Sequence, residues 1–299
     1  MEKRNLRNGI LFALPWIIGF LVLQVLPIFY TFYLSTTRYT GLGKPVFIGI
    51  ENFSSIFKDS LAFLATYNTA FYTFWLMPVG LSIAIILAVA MNQNVKEVAL
   101  YRAVFYLPSV LPSFAMVFIW ILFTNPQYGV LNRLFVSLGL PFIDWIGNPR
   151  FTKPSLIILA QYSAGGPALI FLAALRSIPK DLYESASLDG AGPFRKFRTI
   201  TIPMITPVIL YNIIWNISHG LQAFTQAYLM SSSTAGETMA GPANSLLFYV
   251  FYIYRMAFLY SKMGYAAALS ILLFIASLLI AFVVFRWGRS WVFYEAEQK

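Results

Sequence analysis

Charged side chains are concentrated in residues 176–203, a segment that separates two long apolar stretches. Pro179 suits the first turn of a helix, and Asp181 and Glu184 suit its positive N-terminal end. Gly190 suits the end of a helix. The sequence therefore predicts a short helix of about ten residues that belongs to neither apolar stretch.

The predicted helix has a surface suited to close contact with another protein. Its small side chains Ser185 and Ala186 would let the helix fit closely into a groove of another protein. Leu182 and Ala186, four residues apart, form an apolar stripe. Phe194 and Phe197 then alternate with three basic residues, a pattern typical of a turn that lies on lipid headgroups. An ordinary basic loop without a partner is the alternative.

A second group of polar side chains recurs at intervals of three or four residues, which places them on one side of a helix. Unpaired amides are costly in lipid, so these side chains are predicted to face the protein interior or water. Amides can hydrogen-bond a hydroxyl-rich sugar and aromatic rings can stack on it, but the same residues can simply hold helices together. The candidates are Asn212, Trp215, Asn216, His219 and Gln222, together with Gln161 and Tyr162 beside a predicted flexible break at Gly165-Gly166-Pro167.

The composition assigns the chain to a membrane. Hydrophobic residues make up 59% and charged residues 11% of the sequence, and the mean hydropathy is +0.70, whereas soluble domains carry about 25% charged residues. Apolar stretches of about 20 residues must then be helices, because every backbone amide in hydrocarbon needs an internal partner. The chain has no cysteine and one histidine, which leaves too few ligands for a metal centre.

Six apolar stretches predict an all-α polytopic membrane protein with six transmembrane helices. The first is too long for a signal peptide and is expected to be retained. Residues 1–66 would hold the N-terminal segment, the first span and the first external loop, residues 67–286 the transmembrane core with segment 176–203, and residues 287–299 a tail. The predicted spans are 10–34, 67–91, 103–123, 154–175, 205–224 and 265–285.

The distribution of lysine and arginine predicts that both termini are cytosolic. With that orientation 13 of the 21 basic residues lie on the inside in short segments. The others are spread over the longer external loops 35–66, 124–153 and 225–264. The net charge of +10 is then accounted for by topology and anionic lipid headgroups, and no nucleic-acid partner is expected.

Segment 176–203 resembles the EAA signature of ATP-binding-cassette (ABC) importer permeases, E-A-A-x3-G-x9-I-x-L-P. Ser185 replaces the middle alanine and Ile202 replaces leucine, and both changes are conservative. Segments 48–53, 102–108, 125–132, 177–179 and 263–268 resemble the carbohydrate-uptake branch, with its MalF-like and glycerol-3-phosphate-permease-like members. The signature positions that match are Glu184, Ala186, Gly190, Ile200 and Pro203.

The resemblance implies a type I ABC importer permease fold in which the short helix is a coupling helix. It would sit in a cleft of an ATPase subunit and move as a rigid body when two ATPases close around ATP. The positions expected to make this contact are Pro179, Leu182, Tyr183, Glu184, Ser185, Ala186, Asp189, Gly190, Ala191 and Gly192.

The resemblance also implies partners in a bacterial plasma membrane. These are a second permease subunit, as a heterodimer with a homodimer left open, two ATPase subunits, and an extracytoplasmic solute-binding protein on the external loops. The chain lacks the phosphate-binding sequence G-x-x-x-x-G-K-[ST]. We therefore expect that it is not an enzyme and holds no cofactor, and that the partners bind ATP and magnesium. A neutral mono-, di- or oligosaccharide is the expected cargo, since the predicted spans contain no lysine or arginine.

Two other classes of membrane protein fit the sequence less well. An ion-coupled secondary transporter normally places Asp or Glu within the bilayer, and none of the eleven acidic residues falls in a predicted span. Only the break at Gly165-Gly166-Pro167 favours this class. A membrane-embedded hydrolase would need paired carboxylates, a metal set or a nucleophile beside a histidine, and the sequence offers no such set.

Overall fold

The computed structural model describes residues 2–93, 96–233 and 240–293. Residues 294–299 of the predicted tail and residues 234–239 of the third external loop lie outside this description. The described chain is built from α-helices with short π-helical and 3-10 segments, and from one small hairpin.

The α-helices, in chain order, are α1 Glu2–Phe20, α2 Leu26–Ser35, α3 Glu51–Ile56, α4 Ser60–Met91, α5 Val98–Val110, α6 Ser113–Phe123, α7 Val130–Ser137, α8 Pro149–Ala160, α9 Gly165–Ser177, α10 Lys180–Leu188, α11 Pro193–Lys196, α12 Ile202–Met204, α13 Thr206–Leu221, α14 Thr225–Ser233, α15 Tyr249–Tyr254 and α16 Met263–Gly288. The π-helical segments are Leu21–Val25, Phe197–Thr201 and Arg255–Leu259, and the 3-10 segments are Gln161–Ala164 and Pro242–Asn244. The antiparallel strands β1 Thr37–Arg38 and β2 Val46–Phe47 pair Thr37 with Phe47.

The predicted all-α membrane architecture is confirmed. Four apolar helical stretches are long enough to cross a bilayer without a sharp bend, and two further helix pairs are bent. Counting each bent pair as one crossing gives six spans. The unbent stretches are Gly9–Ser35, Ser60–Met91, Pro149–Ser177 and Met263–Gly288, and the bent pairs are Val98–Val110 with Ser113–Phe123 and Pro193–Met204 with Thr206–Ser232.

The span predicted over residues 103–123 consists of two helices with a sharp bend between them. Helix α5 ends at Val110 and α6 begins at Ser113, with a bend of 99° between them. Leu111 has an extended backbone with ψ 141°, the conformation favoured for a residue that precedes proline. Pro112 has no amide hydrogen to continue the helical ladder. The dipeptide Leu111-Pro112 therefore breaks this span.

The fourth span begins earlier than residue 154. The Asn148 side chain accepts a hydrogen bond from the Arg150 amide at 3.0 Å, so it caps α8 and starts the helix at Pro149. Lys153 therefore lies within the helix, which corrects the expectation of spans without lysine or arginine. Its ammonium group donates to Asn68 Oδ1 at 3.0 Å and lies 4.8 Å from the ring centroid of Tyr67.

The expected flexible break at Gly165-Gly166-Pro167 is also wrong. The irregular turn is the 3-10 segment Gln161–Ala164, and the glycines begin the regular helix α9. A Cβ atom at Gly165 would lie 2.2 Å from the Phe105 carbonyl oxygen. Gly165 is therefore required for the close packing of α5 against α9, whereas Gly166 has no such neighbour.

The fifth span and the external loop after it differ from their predicted forms. Helix α13 covers Thr206–Leu221 and is bent by 66° from the preceding helical stretch Pro193–Met204. The loop predicted over residues 225–264 contains α14, which packs against α6, and a further helical stretch, Tyr249–Leu259. Sequence periodicity missed both helices for different reasons. Helix α14 has few apolar residues, whereas Tyr249–Leu259 is apolar on nearly all sides and too short to cross a bilayer.

The chain divides into two compact units, residues 1–63 with 252–276 and residues 64–251 with 277–299. In the first unit Asp59 stands immediately before α4. Its carboxylate accepts hydrogen bonds from the Tyr252 hydroxyl, from the Tyr265 hydroxyl at 2.6 Å and from the Leu61 amide at 2.9 Å. Partial burial alone would raise the pKa of Asp59, but the hydrogen bonds outweigh burial and lower the pKa below its ordinary value of 3.8.

The Asp59 hydrogen bonds make the stability of the chain sensitive to acid. Because the pKa is lowered in the folded state, the carboxylate stabilises the fold above pH 3.8 and loses this contribution as the pH falls through the lower folded value. We expect Asp59→Asn to lower the free energy of unfolding by about 1.5–3 kcal/mol at pH 7. Thermal unfolding of the detergent-solubilised protein measures this loss.

The matched control is Glu51→Gln in the same unit. Glu51 pairs with Arg38 at 3.2 Å, and both side chains are more than half exposed, so the change is expected to alter stability by less than about 1 kcal/mol. Equal effects of the two substitutions would contradict the role assigned to Asp59.

In the second unit an apolar cluster joins α4, α9 and the start of α13. Phe171 and Ile205 in this cluster are fully buried. Half-buried residues from the charged segment pack against it, among them Tyr183 and Ile200. The charged segment is therefore anchored to the helices that hold the candidate polar residues.

Candidate functional site

The short helix predicted in the charged segment is α10, Lys180–Leu188. It starts after Pro179, and Gly190 follows its end with φ +74°. The Ala191 amide donates to the Ala186 carbonyl at 2.8 Å, a pattern that closes a helix end around a left-handed residue. Gly190 is therefore required here by backbone conformation.

The predicted contact residues form a largely exposed surface on this helix. Leu188, which was not predicted, is 91% exposed, and Leu182 is 42% exposed. Leu188 therefore adds an exposed apolar side chain to the predicted contact surface. The exposed predicted positions are Pro179, Leu182, Glu184, Ser185, Asp189, Gly190 and Gly192, and the half-buried ones are Tyr183, Ala186 and Ala191.

A cavity of about 670 Å³ lies in the second unit. Its walls come from α4, from the bend between α5 and α6, from the 3-10 segment in the fourth span and from α13. Of the predicted pathway residues, those that line this cavity are Gln161, Tyr162, Trp215, Asn216, His219 and Gln222.

Asn212 does not line the cavity, although it was predicted with the others. It is 1% exposed, and its Nδ2 donates to the Val208 carbonyl at 2.9 Å. One turn further along the helix, Asn216 reaches the cavity wall. Asn212 therefore belongs to the packed side of α13, where its amide bonds to its own helix.

Sequence reasoning missed the cavity residues contributed by α4 and by the bent third span. Ser109 and Ser113 lie on either side of the break at Leu111-Pro112, so the misjudged bend concealed them. In α4, the largely apolar sequence gives little indication of which face of the helix lines the cavity. The missed residues are Tyr72, Leu76 and Gly80 of α4, and Tyr106, Ser109 and Ser113 of the third span.

Two amide oxygens are directed to one place in this cavity. Gln161 Nε2 donates to the Ile157 carbonyl at 2.8 Å, and Asn216 Nδ2 donates to the Asn212 carbonyl at 2.9 Å. One N–H group of each amide nitrogen is held by the backbone in this way. The oxygens face Gly80, where a Cβ atom would lie 3.5 Å from Gln161 Oε1 and 3.4 Å from Asn216 Oδ1. The cavity therefore presents paired hydrogen-bond acceptors.

Aromatic rings adjoin these acceptors along α13. The ring centroids of Trp215 and His219 are 4.4 Å apart, and Tyr211 stacks on Trp215 at 6.2 Å. Trp215 is 48% exposed although it lies in an apolar helix. An indole face of this kind can stack on an apolar face of a bound molecule.

Most of the chain matches a known family of membrane proteins. Residues 77–290 match the family described as "Binding-protein-dependent transport system inner membrane component". The probable ABC transporter permease protein YesP of Bacillus subtilis is 35% identical over 100% of this chain and 96% of its own length. The arabinooligosaccharides transport system permease protein AraP of the same species is 29% identical over 91% of this chain and 86% of its own length.

A solved bacterial ABC transporter involved in the import of the acidic polysaccharide alginate contains a similar chain. The TM-score is 0.82 at 25% identity, and the match covers 96% of this chain and 98% of the other. The family match spans most of the present sequence, including segment 176–203 and nearly all of the cavity lining. This chain therefore belongs to the binding-protein-dependent transport system inner membrane component family, as a non-catalytic ABC importer permease whose ATPase is a separate subunit.

Proposed function

We propose that this chain is one of two permease subunits of an ATP-driven importer, and that a neutral saccharide delivered by an extracytoplasmic binding protein crosses the membrane through the cavity. The observation that carries the proposal is the pair of free amide oxygens on Gln161 and Asn216 beside Gly80. Trp215 supplies a stacking face next to them.

The chemistry of the lining favours a neutral cargo over an acidic one. Amide oxygens accept hydrogen bonds from hydroxyl groups, but they repel a carboxylate, which needs donors. In the described part of the chain, the residues that line this cavity include no Lys, Arg, Asp or Glu. The basic residues of the fourth span, Arg150, Lys153 and Arg176, do not line it.

The names of the relatives support a carbohydrate cargo of this kind. AraP is named for arabinooligosaccharides, which are neutral, whereas the solved transporter of similar fold imports acidic alginate. The proposal therefore assigns this chain to the neutral group on the basis of its own cavity.

The proposed importer contains a second permease subunit of like fold, as a heterodimer, and two ATPase subunits that hold ATP and magnesium. Both chain termini and helix α10 are assigned to the cytosolic side by the distribution of lysine and arginine. The exposed side chains of α10, with Leu182 and Leu188 among them, would enter a cleft of one ATPase subunit. The binding protein would dock on the external loops.

The complete importer, reconstituted in vesicles with its partner subunits and binding protein, tests the proposal. Binding of the isolated binding protein to a panel of neutral and uronic oligosaccharides identifies the cargo. We expect a neutral member of the panel to be taken up only when ATP is present on the cytosolic side. Uptake driven by a pH or sodium gradient without ATP would refute the proposal and favour an ion-coupled transporter.

Removing either amide acceptor is expected to slow uptake of the neutral cargo. Gln161→Leu and Asn216→Leu each remove one hydrogen bond, and we expect each to lower the uptake rate about five- to tenfold. Initial rates in the reconstituted vesicles measure the effect.

Gln93→Leu is the matched control for these changes. Gln93 Nε2 also donates to the carbonyl four residues back, Val89 at 3.4 Å, but Gln93 does not line the cavity. Wild-type uptake by Gln161→Leu and Asn216→Leu would remove these residues from the proposed binding surface.

A further inference from the structure

Tyr183 differs from the other predicted contact residues of α10 because it points toward the membrane helices. Its ring packs against the apolar cluster of α4, α9 and α13, and its hydroxyl shares a hydrogen bond with Thr201 Oγ1 at 2.8 Å. Leu182 and Glu184, its neighbours on either side, are exposed. Tyr183 is thus well placed to link the helix surface to the interior.

Thr201 lies at the point where the charged segment joins the fifth span. It is 6% exposed and closes the π-helical segment Phe197–Thr201. Such wide turns inside helices are frequent at functional positions. Ile205 follows one turn later, donates its amide to the Thr201 carbonyl at 3.2 Å, and marks the 66° bend into α13.

Helix α13, beyond this bend, carries Trp215, Asn216 and His219 on the cavity wall. A displacement of α10 can therefore reach the cavity through Tyr183, Thr201 and the bend. The described structure has one other side-chain hydrogen bond between α10 and the helical stretch after it, from Lys196 Nζ to Ser187 Oγ at 2.5 Å. That contact is exposed, so competition with water makes it a weak connection.

We infer that the Tyr183–Thr201 hydrogen bond is the positioning contact that makes α13 follow the movement of α10. Without it, α10 remains attached to the ATPase subunit and to the chain on both sides, but it can tilt against the apolar cluster without turning the cavity helix. The inference rests on the proposed function, because it assumes that ATP binding by the partner subunits moves α10. It assigns to Tyr183 a role distinct from that of the surface that meets the ATPase.

The test uses a reporter in the cavity and needs no knowledge of the cargo. The chain contains no cysteine, so Ser163→Cys, at an exposed lining position, is its single thiol. In the complete importer in nanodiscs, the rate of maleimide labelling of this thiol is compared without nucleotide and with ATP and orthovanadate. The maleimide label is measured on the gel band of this chain, separated from the other subunits.

We expect nucleotide to change the labelling rate in the parent, and Tyr183→Phe to reduce that response about fivefold, the factor that corresponds to one lost hydrogen bond. Thr201→Val is expected to have a similar effect. The double variant should lose no more of the nucleotide response than the more impaired single variant, because both changes remove the same contact. Attachment of the ATPase subunits is expected to be unchanged in Tyr183→Phe, and the thermal unfolding midpoint is expected to fall by no more than about 2–4 °C, as the loss of one hydrogen bond allows.

Thr199→Val is the matched control, since Thr199 lies in the same π-helical segment and its exposed hydroxyl bonds to the Arg195 carbonyl of its own helix. If both the parent and Tyr183→Phe show a full nucleotide response, the inference is overturned and the proposed function is unaffected. A parent that shows no response to nucleotide would instead contradict the proposed function. Additive losses in the double variant, or detachment of the ATPase, would show that Tyr183 acts in another way.

Discussion

Replacement of Gly190 by valine is expected to reduce uptake by the importer strongly while the chain remains inserted in the membrane. Gly190 adopts φ +74°, a conformation that a β-branched residue occupies only with strain of about 1–3 kcal/mol. Relief of that strain would open the turn behind α10 and change the angle at which the helix meets the ATPase. A misplaced coupling helix delivers no work to the spans, so ATP-dependent uptake should fall by about five- to a hundredfold.

The comparison with Gly190→Asn separates backbone conformation from side-chain size. Asparagine tolerates the left-handed region far better than valine, so this variant is expected to retain most of the uptake. Membrane extraction and the thermal unfolding midpoint should be similar for both variants. If valine and asparagine were equally active, the left-handed turn would not be needed for coupling.

Gly165→Ala is expected to have the largest effect on stability. The new methyl group would lie 2.2 Å from the Phe105 carbonyl oxygen, a contact that only separation of α5 from α9 can relieve. Overpacking against a side chain typically costs about 1–3 kcal/mol, and a backbone neighbour cannot turn aside, so we expect a loss of at least about 3 kcal/mol. The yield of folded protein and its thermal unfolding midpoint in detergent measure this loss.

The adjacent glycine provides the control for this substitution. A Cβ atom at Gly166 would have no heavy atom within 4 Å beyond its own helical turn. Alanine also has the higher helix propensity, so Gly166→Ala is expected to be neutral or to stabilise the protein by up to about 1 kcal/mol. A similar loss for both variants would mean that the approach of α5 to α9 does not determine stability.

The features that could be predicted from sequence are those with a local physical cause. The length of an apolar stretch defines a span, and proline before and glycine after α10 define its ends. The polar spacing grouped Asn216, His219 and Gln222 together, and all three line the cavity. In each case the residues themselves, or their nearest neighbours in sequence, carry the determining interaction.

The errors arose where distant parts of the chain decide the outcome. Asn212 has the same spacing as Asn216, but neighbouring helices bury it. Gly165 looks flexible in sequence, and only its contact with Phe105 shows that it is a packing residue. The bend at Leu111-Pro112 is an exception, because the sequence contains its cause and the uniform hydropathy of the stretch concealed it.

The absence of a side chain at Gly80 has a consequence for how related importers can diverge. A methyl group there would make ordinary van der Waals contact with Asn216 Oδ1 and Gln161 Oε1, so the helices need not shift to admit it. It would nevertheless cover both oxygens at once. A single substitution at this position could thus change which cargo an importer accepts while its ATPase contacts stay the same. Related permeases could differ in cargo through this one residue.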